Sequence, residues 1–201
     1  MIRASAMSPR VCVCALAASL LVGVIALASP APAAEGDPWS GGANWISVRG
    51  GYAKSGVEGA PNGIGGYGFG FQHFLSTKWA VGGHVHHELL GRFGSASEIA
   101  IPFTAEISRH FKWPTSLRPY LALGAGAFFH KMYRTGTDGT QVRNGGYVSG
   151  GFNAVISDRS LLGVDWRMAL ETDAKSTNPA FPSTTSSATL WSAKLSYSRF
   201  F

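Results

Sequence analysis

The sequence predicts an all-β fold, an eight-stranded antiparallel up-and-down transmembrane β-barrel preceded by a cleaved signal peptide. Three observations carry that expectation. In the last strand Trp191, Ala193, Leu195, Tyr197, Arg199 and Phe201 fall on one face, and Ser192, Lys194, Ser196 and Ser198 on the other. A period of two describes a strand with one apolar and one polar side. Eight strand-like segments, separated by clusters of Gly, Ser, Asn, Asp and Pro, fill the chain after its N-terminal region, and no segment holds a helical period. Beyond that region no apolar run approaches the roughly 20 residues of a membrane helix, so a spanning structure has to be a closed barrel.

The N-terminal region has the layout of an export signal. Arg3 and Arg10 supply positive charge, residues 11–28 are apolar or small, and Ala31-Pro32-Ala33 offers a small-x-small cleavage site. The run is long enough for an anchor helix, but Pro30 and Pro32 break a helix where a signal peptidase needs extended chain. Residues 1–33 are therefore assigned to the signal peptide and 34–201 to one outer-membrane barrel domain. Cys12 and Cys14 lie at the start of the apolar run, not at its end as a lipoprotein requires, and they leave with the signal. The mature chain then has neither a disulfide framework nor a thiolate metal site.

Charge narrows the partners. The first 33 residues hold two arginines and no acid, so the net charge falls from +6 to +4 on cleavage. The bases are scattered, as Arg92, Lys112, Arg118, Arg134, Arg143 and Arg159 illustrate. A nucleic-acid surface needs a basic stripe, and none is present. Charged residues make up 14% of the chain, against about a quarter in soluble domains.

The expected strands span 44–54, 65–74, 79–90, 98–111, 119–133, 145–156, 161–172 and 188–201. Most match the roughly 9–11 residues that cross a bilayer as a tilted strand. The first sets Ile46, Val48 and Tyr52 against Ser47, Arg49 and Gly51, and the second sets Tyr67, Phe69 and Phe71 against Gly68, Gly70 and Gln72. In the third, Val81, Gly83, Val85, His87 and Leu89 oppose Gly82, His84, His86, Glu88 and Leu90. The fourth contains Pro102, which lacks an amide proton, and a bulge near the outer rim is expected there. The fifth and sixth are too rich in Gly and Ala to phase. The seventh sets Leu162, Val164, Trp166, Met168 and Leu170 against Gly163, Asp165, Arg167, Ala169 and Glu171.

Alternation alone does not say which face is inside. The polar face holds Arg49, Gln72, His84, His86, Glu88, Glu106, Asp165, Arg167, Glu171 and Lys194, a near-balanced mixture interleaved with Gly. Such a set suits a narrow lumen of paired charges better than a solvated surface. Trp79, Trp113, Trp166 and Trp191 fit interface girdles. With the N-terminus on the inner side, connections at about 55–64, 91–97, 134–144 and 173–187 lie outside. The shorter ones at 75–78, 112–118 and 157–160 lie inside, the outer-membrane pattern.

The chain resembles the small outer-membrane β-barrel family that includes the barrel part of outer-membrane protein A. The resemblance rests on Arg118-Pro119-Tyr120-Leu121-Ala122-Leu123-Gly124-Ala125-Gly126, on Leu161-Leu162-Gly163-Val164-Asp165-Trp166-Arg167 and on the terminal aromatic. It implies a bacterial outer-membrane location and a C-terminal assembly signal, carried here by Trp191, Leu195, Tyr197 and Phe201. It also implies contact with outer-membrane lipid and, during biogenesis, with the barrel-assembly machinery and periplasmic chaperones. The family includes structural proteins, adhesins and a few enzymes, so the fold leaves the activity open.

Three chemical constellations compete with plainer readings. His84, His86 and Glu88 at alternate positions point the same way and have metal-ligand chemistry, yet a lumen stack satisfied by its neighbours explains them better, and no metal or other cofactor is expected. Arg49, Glu88, Glu106, Asp165, Arg167, Glu171 and Lys194 suit an ion path or, preferably, a salt-bridged plug, because eight strands leave room only for side chains. The Gly63 to Gly68 stretch matches G-x-G-x-x-G but runs from loop into strand, without the helix that a dinucleotide site needs.

Lipid A deacylases of the outer membrane are similar in length and terminal layout. Their His-x-Ser pair belongs near the end of the penultimate strand, where this chain reads Asp165-Trp166-Arg167-Met168-Ala169-Leu170-Glu171. The acid is there, but the base and the nucleophile of acyl transfer are not. The expectation is a monomeric, non-catalytic barrel with a blocked lumen and four surface loops. The fourth loop, with Asn178-Pro179-Ala180-Phe181-Pro182, is the candidate contact for an extracellular ligand. A lipid-modifying enzyme and a narrow solute pore are the alternatives.

Overall fold

Every polar backbone group of a spanning strand must pair with a neighbour, and eight alternating strands meet that demand by closing on themselves. The computed structural model describes residues 37–56, 62–93, 96–113, 116–134, 137–172, 174–176 and 187–201. The assigned signal peptide and the Asn178–Pro182 candidate lie outside them. The barrel strands are β1 (Asn44–Ser55), β2 (Gly65–Phe74), β3 (Trp79–Phe93), β4 (Ala96–His110), β5 (Leu117–Arg134), β6 (Thr137–Ser157), β7 (Ser160–Glu171) and β8 (Ala188–Phe200). Each pairs antiparallel with its neighbours in sequence, and β1 pairs with β8 from Trp45↔Phe200 to Ser55↔Leu190 to close the cylinder. A two-residue strand, Lys175–Ser176, adds to the outer part of β6.

The exterior is apolar. Ile46, Val48, Phe69, Phe103, Leu121, Leu123, Leu162 and Leu195 all point outward and exposed, whereas Ser47, Arg49, Gln72, Glu106, Asp165 and Lys194 are buried inside. This inverts the arrangement of a soluble domain and fits a hydrocarbon surround. Trp79 and Trp113 lie near the end that carries both described termini; Trp166 and Trp191, with ring centroids 5.3 Å apart, lie towards the opposite, loop end.

Two local expectations are corrected. Pro102 causes no bulge: its pairing with Phe128 continues the β4–β5 register, and the register shift lies between Leu89 and Gly91 of β3. Pro102 costs the ladder its missing amide, since no β3 residue pairs with it, while Gly91 at φ 107° takes up the backbone irregularity. The connections expected at 91–97 and 134–144 are mostly strand. β3 to β6 run 15, 15, 18 and 21 residues and rise beyond the lipid-facing belt as a paired wall. Hydrophobic alternation ends where lipid ends, but backbone pairing does not, so this extension leaves no period in the sequence.

Candidate functional site

The lumen is filled in four layers, from the termini end to the loop end. In the first, the segment before β1 turns beneath the barrel and brings Trp39 against Trp45, Phe74, Ala80, Leu161 and Phe200. Gly42, at φ 92°, allows that turn and donates its amide to the Phe74 carbonyl at 2.8 Å. Trp45 Nε1 donates to the Pro38 carbonyl at 2.6 Å, and the Trp45 and Phe74 rings are 4.8 Å apart. His110 stacks on Tyr120 and meets Ser108 Oγ at 3.2 Å. Aromatic rings close this end.

The second layer is charged and centres on Glu106. Its Oε1 accepts from Gln72 Nε2 at 3.0 Å and lies 2.9 Å from His84 Nε2. Its Oε2 accepts from Tyr147 Oη at 2.8 Å and lies 3.6 Å from Arg167 Nη2. Arg167 also sits 4.0 Å over the Tyr147 ring and places Nη1 3.4 Å from His86 Nδ1 and 3.5 Å from Thr104 Oγ1. Arg49 pairs with Asp165 at 3.2 Å, and Lys194 with Glu88 at 2.7 Å. The named pairs match three cations with three carboxylates. A charge left single in so dry a space is costly, and pairing offsets that cost.

Room for these side chains comes from β2. Gly66, Gly68 and Gly70 stand directly opposite Glu88, His86 and His84. A Cβ at any of the three would collide with the side chain facing it. The third layer is apolar again, with Ala53, Leu90, Ala100, Phe128, Tyr147, Ala169 and Leu190 in one buried cluster. Tyr147 belongs to both layers, its ring above and its hydroxyl on Glu106.

A separate polar group forms the fourth layer. His130 of β5 lies between two carboxylates, with Nδ1 2.6 Å from Glu98 Oε1 and Nε2 2.7 Å from Glu171 Oε2. Arg143 Nε is 3.8 Å from that same Glu171 oxygen, and its Nη1 donates to the Thr172 carbonyl at 3.0 Å. These residues border a cavity of about 210 Å³.

The structure therefore brings together Arg49, Gln72, His84, His86, Glu88, Glu106, Asp165, Arg167 and Lys194, and places Glu171 in the other group. His84 and His86 stack at 5.9 Å, and His84 faces Glu106, not Glu88. Among the described residues no three His, Cys, Asp or Glu groups are placed to hold a metal ion. Sequence reasoning missed Glu98, His130, Arg143 and Tyr147. His130, Arg143 and Tyr147 lie in β5 and β6, where Gly and Ala blur the alternation, and Glu98 lies at the outer start of β4; the even spacing of Tyr120, Ala122, Gly124, Gly126, Phe128 and His130 was the available signal. At the C-terminus Trp191, Leu195, Tyr197 and Phe201 point outward. Phe201 exchanges backbone hydrogen bonds with Asn44, both at 3.0 Å, at the seam between β8 and β1.

No family model matches the chain, and no curated protein matches it. Solved structures do. Neisserial surface protein A aligns with a TM-score of 0.66 at 12% identity, over 78% of this chain and 97% of that one. Ail, the attachment invasion locus protein of Yersinia pestis, aligns at 0.55 and 14% identity, over 81% and 99%. The N-terminal β-barrel domain of Pseudomonas aeruginosa OprF aligns at 0.52 and 14% identity, over 79% and 97%. At such identities the likeness concerns the backbone path, and it spans nearly the whole of each of those chains. The chain has the fold of the small bacterial outer-membrane β-barrels.

Proposed function

We propose that this protein is a non-catalytic, monomeric outer-membrane barrel with a blocked lumen, serving a structural or surface-interaction role after removal of residues 1–33. The observation that carries the reading is the stacking of a paired charge layer between two apolar layers, Trp45–Phe74 below and Leu90–Phe128 above. An ion crossing the lumen would have to shed water twice and displace the Glu106 contacts between. The outward apolar belt supports residence in lipid, with the loop end outside the cell. A polar wall on a rigid scaffold is the usual place for surface contacts, and Ail and the neisserial protein, named for attachment and for the surface, offer the same scaffold.

Planar-bilayer conductance of the purified barrel tests the blocked lumen, and mass spectrometry of lipid A with and without expression tests catalysis. The expected results are a baseline without steady channel steps and an unchanged lipid A profile. Reproducible single-channel steps would replace the reading with a pore, and loss of an acyl chain would replace it with a deacylase. Surface biotinylation of cells should label the loop end; labelling only after the outer membrane is opened would reverse the assigned orientation.

A further inference from the structure

We propose that a groove on the outer face of the β1–β8 seam, at the end carrying the described termini, binds one anionic glycerophospholipid whose phosphate is held by Arg159 and Arg199. The groove, of about 450 Å³, is lined by the exposed apolar residues Ile46, Val48, Tyr197 and Phe201 together with the two arginines. Backbone pairing sets those arginines side by side. Arg199 faces Ser160 across the β7–β8 ladder, and the Arg159 carbonyl accepts from the Phe200 amide at 3.2 Å. Both arginines are exposed, and among the described residues neither is within ion-pair distance of a carboxylate. The other arginines of this end are engaged, Arg109 over the Trp79 and Phe111 rings and Arg118 over Trp39.

Charge selects an anion. Outside the lumen, the described bases of this end are Lys78, Arg109, Lys112, Arg118, Arg159 and Arg199, and the acids are Asp37, Asp158 and the chain-terminal carboxylate. The balance stays positive even with Asp158 next to Arg159 in the chain. A planar guanidinium donates two parallel hydrogen bonds to a phosphate. Tyr197 Oη and Ser160 Oγ are 2.9 Å apart, and two hydroxyls joined by one hydrogen bond leave one O–H proton for a phosphate oxygen. The groove opens on the apolar belt, so the anion that reaches it is one that carries acyl chains. At about 30 Å³ per liquid water, a volume of about 450 Å³ holds roughly fifteen heavy atoms, a phosphate with its glycerol and the first chain carbons. Such a site needs the belt to lie in lipid but neither a blocked lumen nor a given orientation, so channel steps or reversed surface labelling would leave it in place.

The test is titration of dioleoylphosphatidylglycerol into the barrel held in phosphatidylcholine bicelles, followed by amide NMR shifts, with native mass spectrometry counting the retained lipid. Glycerol 3-phosphate serves as the head-group control. Shifts at Arg159, Ser160, Arg199 and Phe201 should saturate with one phosphatidylglycerol retained per barrel, at a preference over phosphatidylcholine of at least about fivefold. Glycerol 3-phosphate should give no saturation. Arg159→Gln combined with Arg199→Gln should abolish the preference. Lys112→Gln, in the same basic end but across the barrel on the β4–β5 connection, should leave it unchanged. Val48→Trp, which fills the groove and keeps both arginines, should weaken retention and serves if the double variant does not fold. No saturable response in the wild-type protein would overturn the proposal, as would an unchanged preference in either folded groove variant. Saturation by glycerol 3-phosphate would replace the lipid with a free phosphate ester, and an equal loss in Lys112→Gln would replace the site with a diffuse basic collar. Shifts at the same amides that follow protein concentration without phosphatidylglycerol would seat a second barrel in the groove and overturn it too.

Discussion

Glu106 illustrates how one side chain organises a barrel interior. Its two oxygens meet groups from four other strands: Gln72, His84, Tyr147 and Arg167. Removing one partner from such a buried set leaves the others desolvated and unpaired, at a cost of about 3–5 kcal/mol, whereas exposed pairs contribute about 0–1. Glu106→Ala and Arg167→Leu should therefore each lower the urea midpoint well below that of a variant at exposed Lys175, measured in one lipid. Matching midpoints and slopes for all three would remove the network from any account of stability. The β2 glycines make the same point through volume. Gly68→Ala pushes a methyl group into the His86 ring and the Val85 carbonyl, so a loss of about 1–3 kcal/mol is expected. An unchanged unfolding curve would mean that His86 has other room.

At the scale of the element, depth in the bilayer sets the cost of a charge. Leu195 lies midway along β8, paired with Gly50 and Val164, and is 61% exposed. Leu195→Arg should cost about 2–4 kcal/mol, and Trp166→Arg less, because Trp166 sits with Trp191 nearer the loop end and the penalty declines towards either interface. Urea titration of both variants in one lipid checks the order; the reverse order would shift the hydrocarbon belt along the barrel. Strand β8 also closes the cylinder. Deleting Phe201 removes the reciprocal bonds to Asn44 and the last outward aromatic. Surface-labelled protein in the outer membrane should fall, and levels equal to wild type would show that the seam assembles without it.

For the whole molecule, closure converts eight marginal strands into one cooperative unit. Every strand donates and accepts on both sides, so no edge is left to fray within the described belt. Unheated protein in mild detergent should migrate faster on a gel than heated protein and should give a circular-dichroism spectrum dominated by β-structure. A largely helical spectrum, or identical mobility before and after boiling, would be incompatible with the fold.

Alternation made the strands and their order legible from sequence, because lipid and lumen impose opposite polarity on successive residues, and the near-balanced charges on the shared polar face of β1, β2, β3, β7 and β8 told which side was inside. It failed in β5 and β6, where Gly124, Gly126, Gly145 and Gly146 carry no polarity, and beyond the belt, where no lipid imposes an apolar outer face. The layering of the lumen was hidden for a different reason. Trp45, Phe74, Leu90 and Phe128 are apolar residues on the inward face, and a two-letter pattern reads them as errors of phase or ignores them. Pair identity was hidden as well. Glu106 and Tyr147 are 41 residues apart, and Arg49 and Asp165 are 116 apart. Polarity along a strand is decided residue by residue and is written in the chain. Which charge meets which depends on register and on the closure of β1 onto β8, and those arise only when all eight strands are in place.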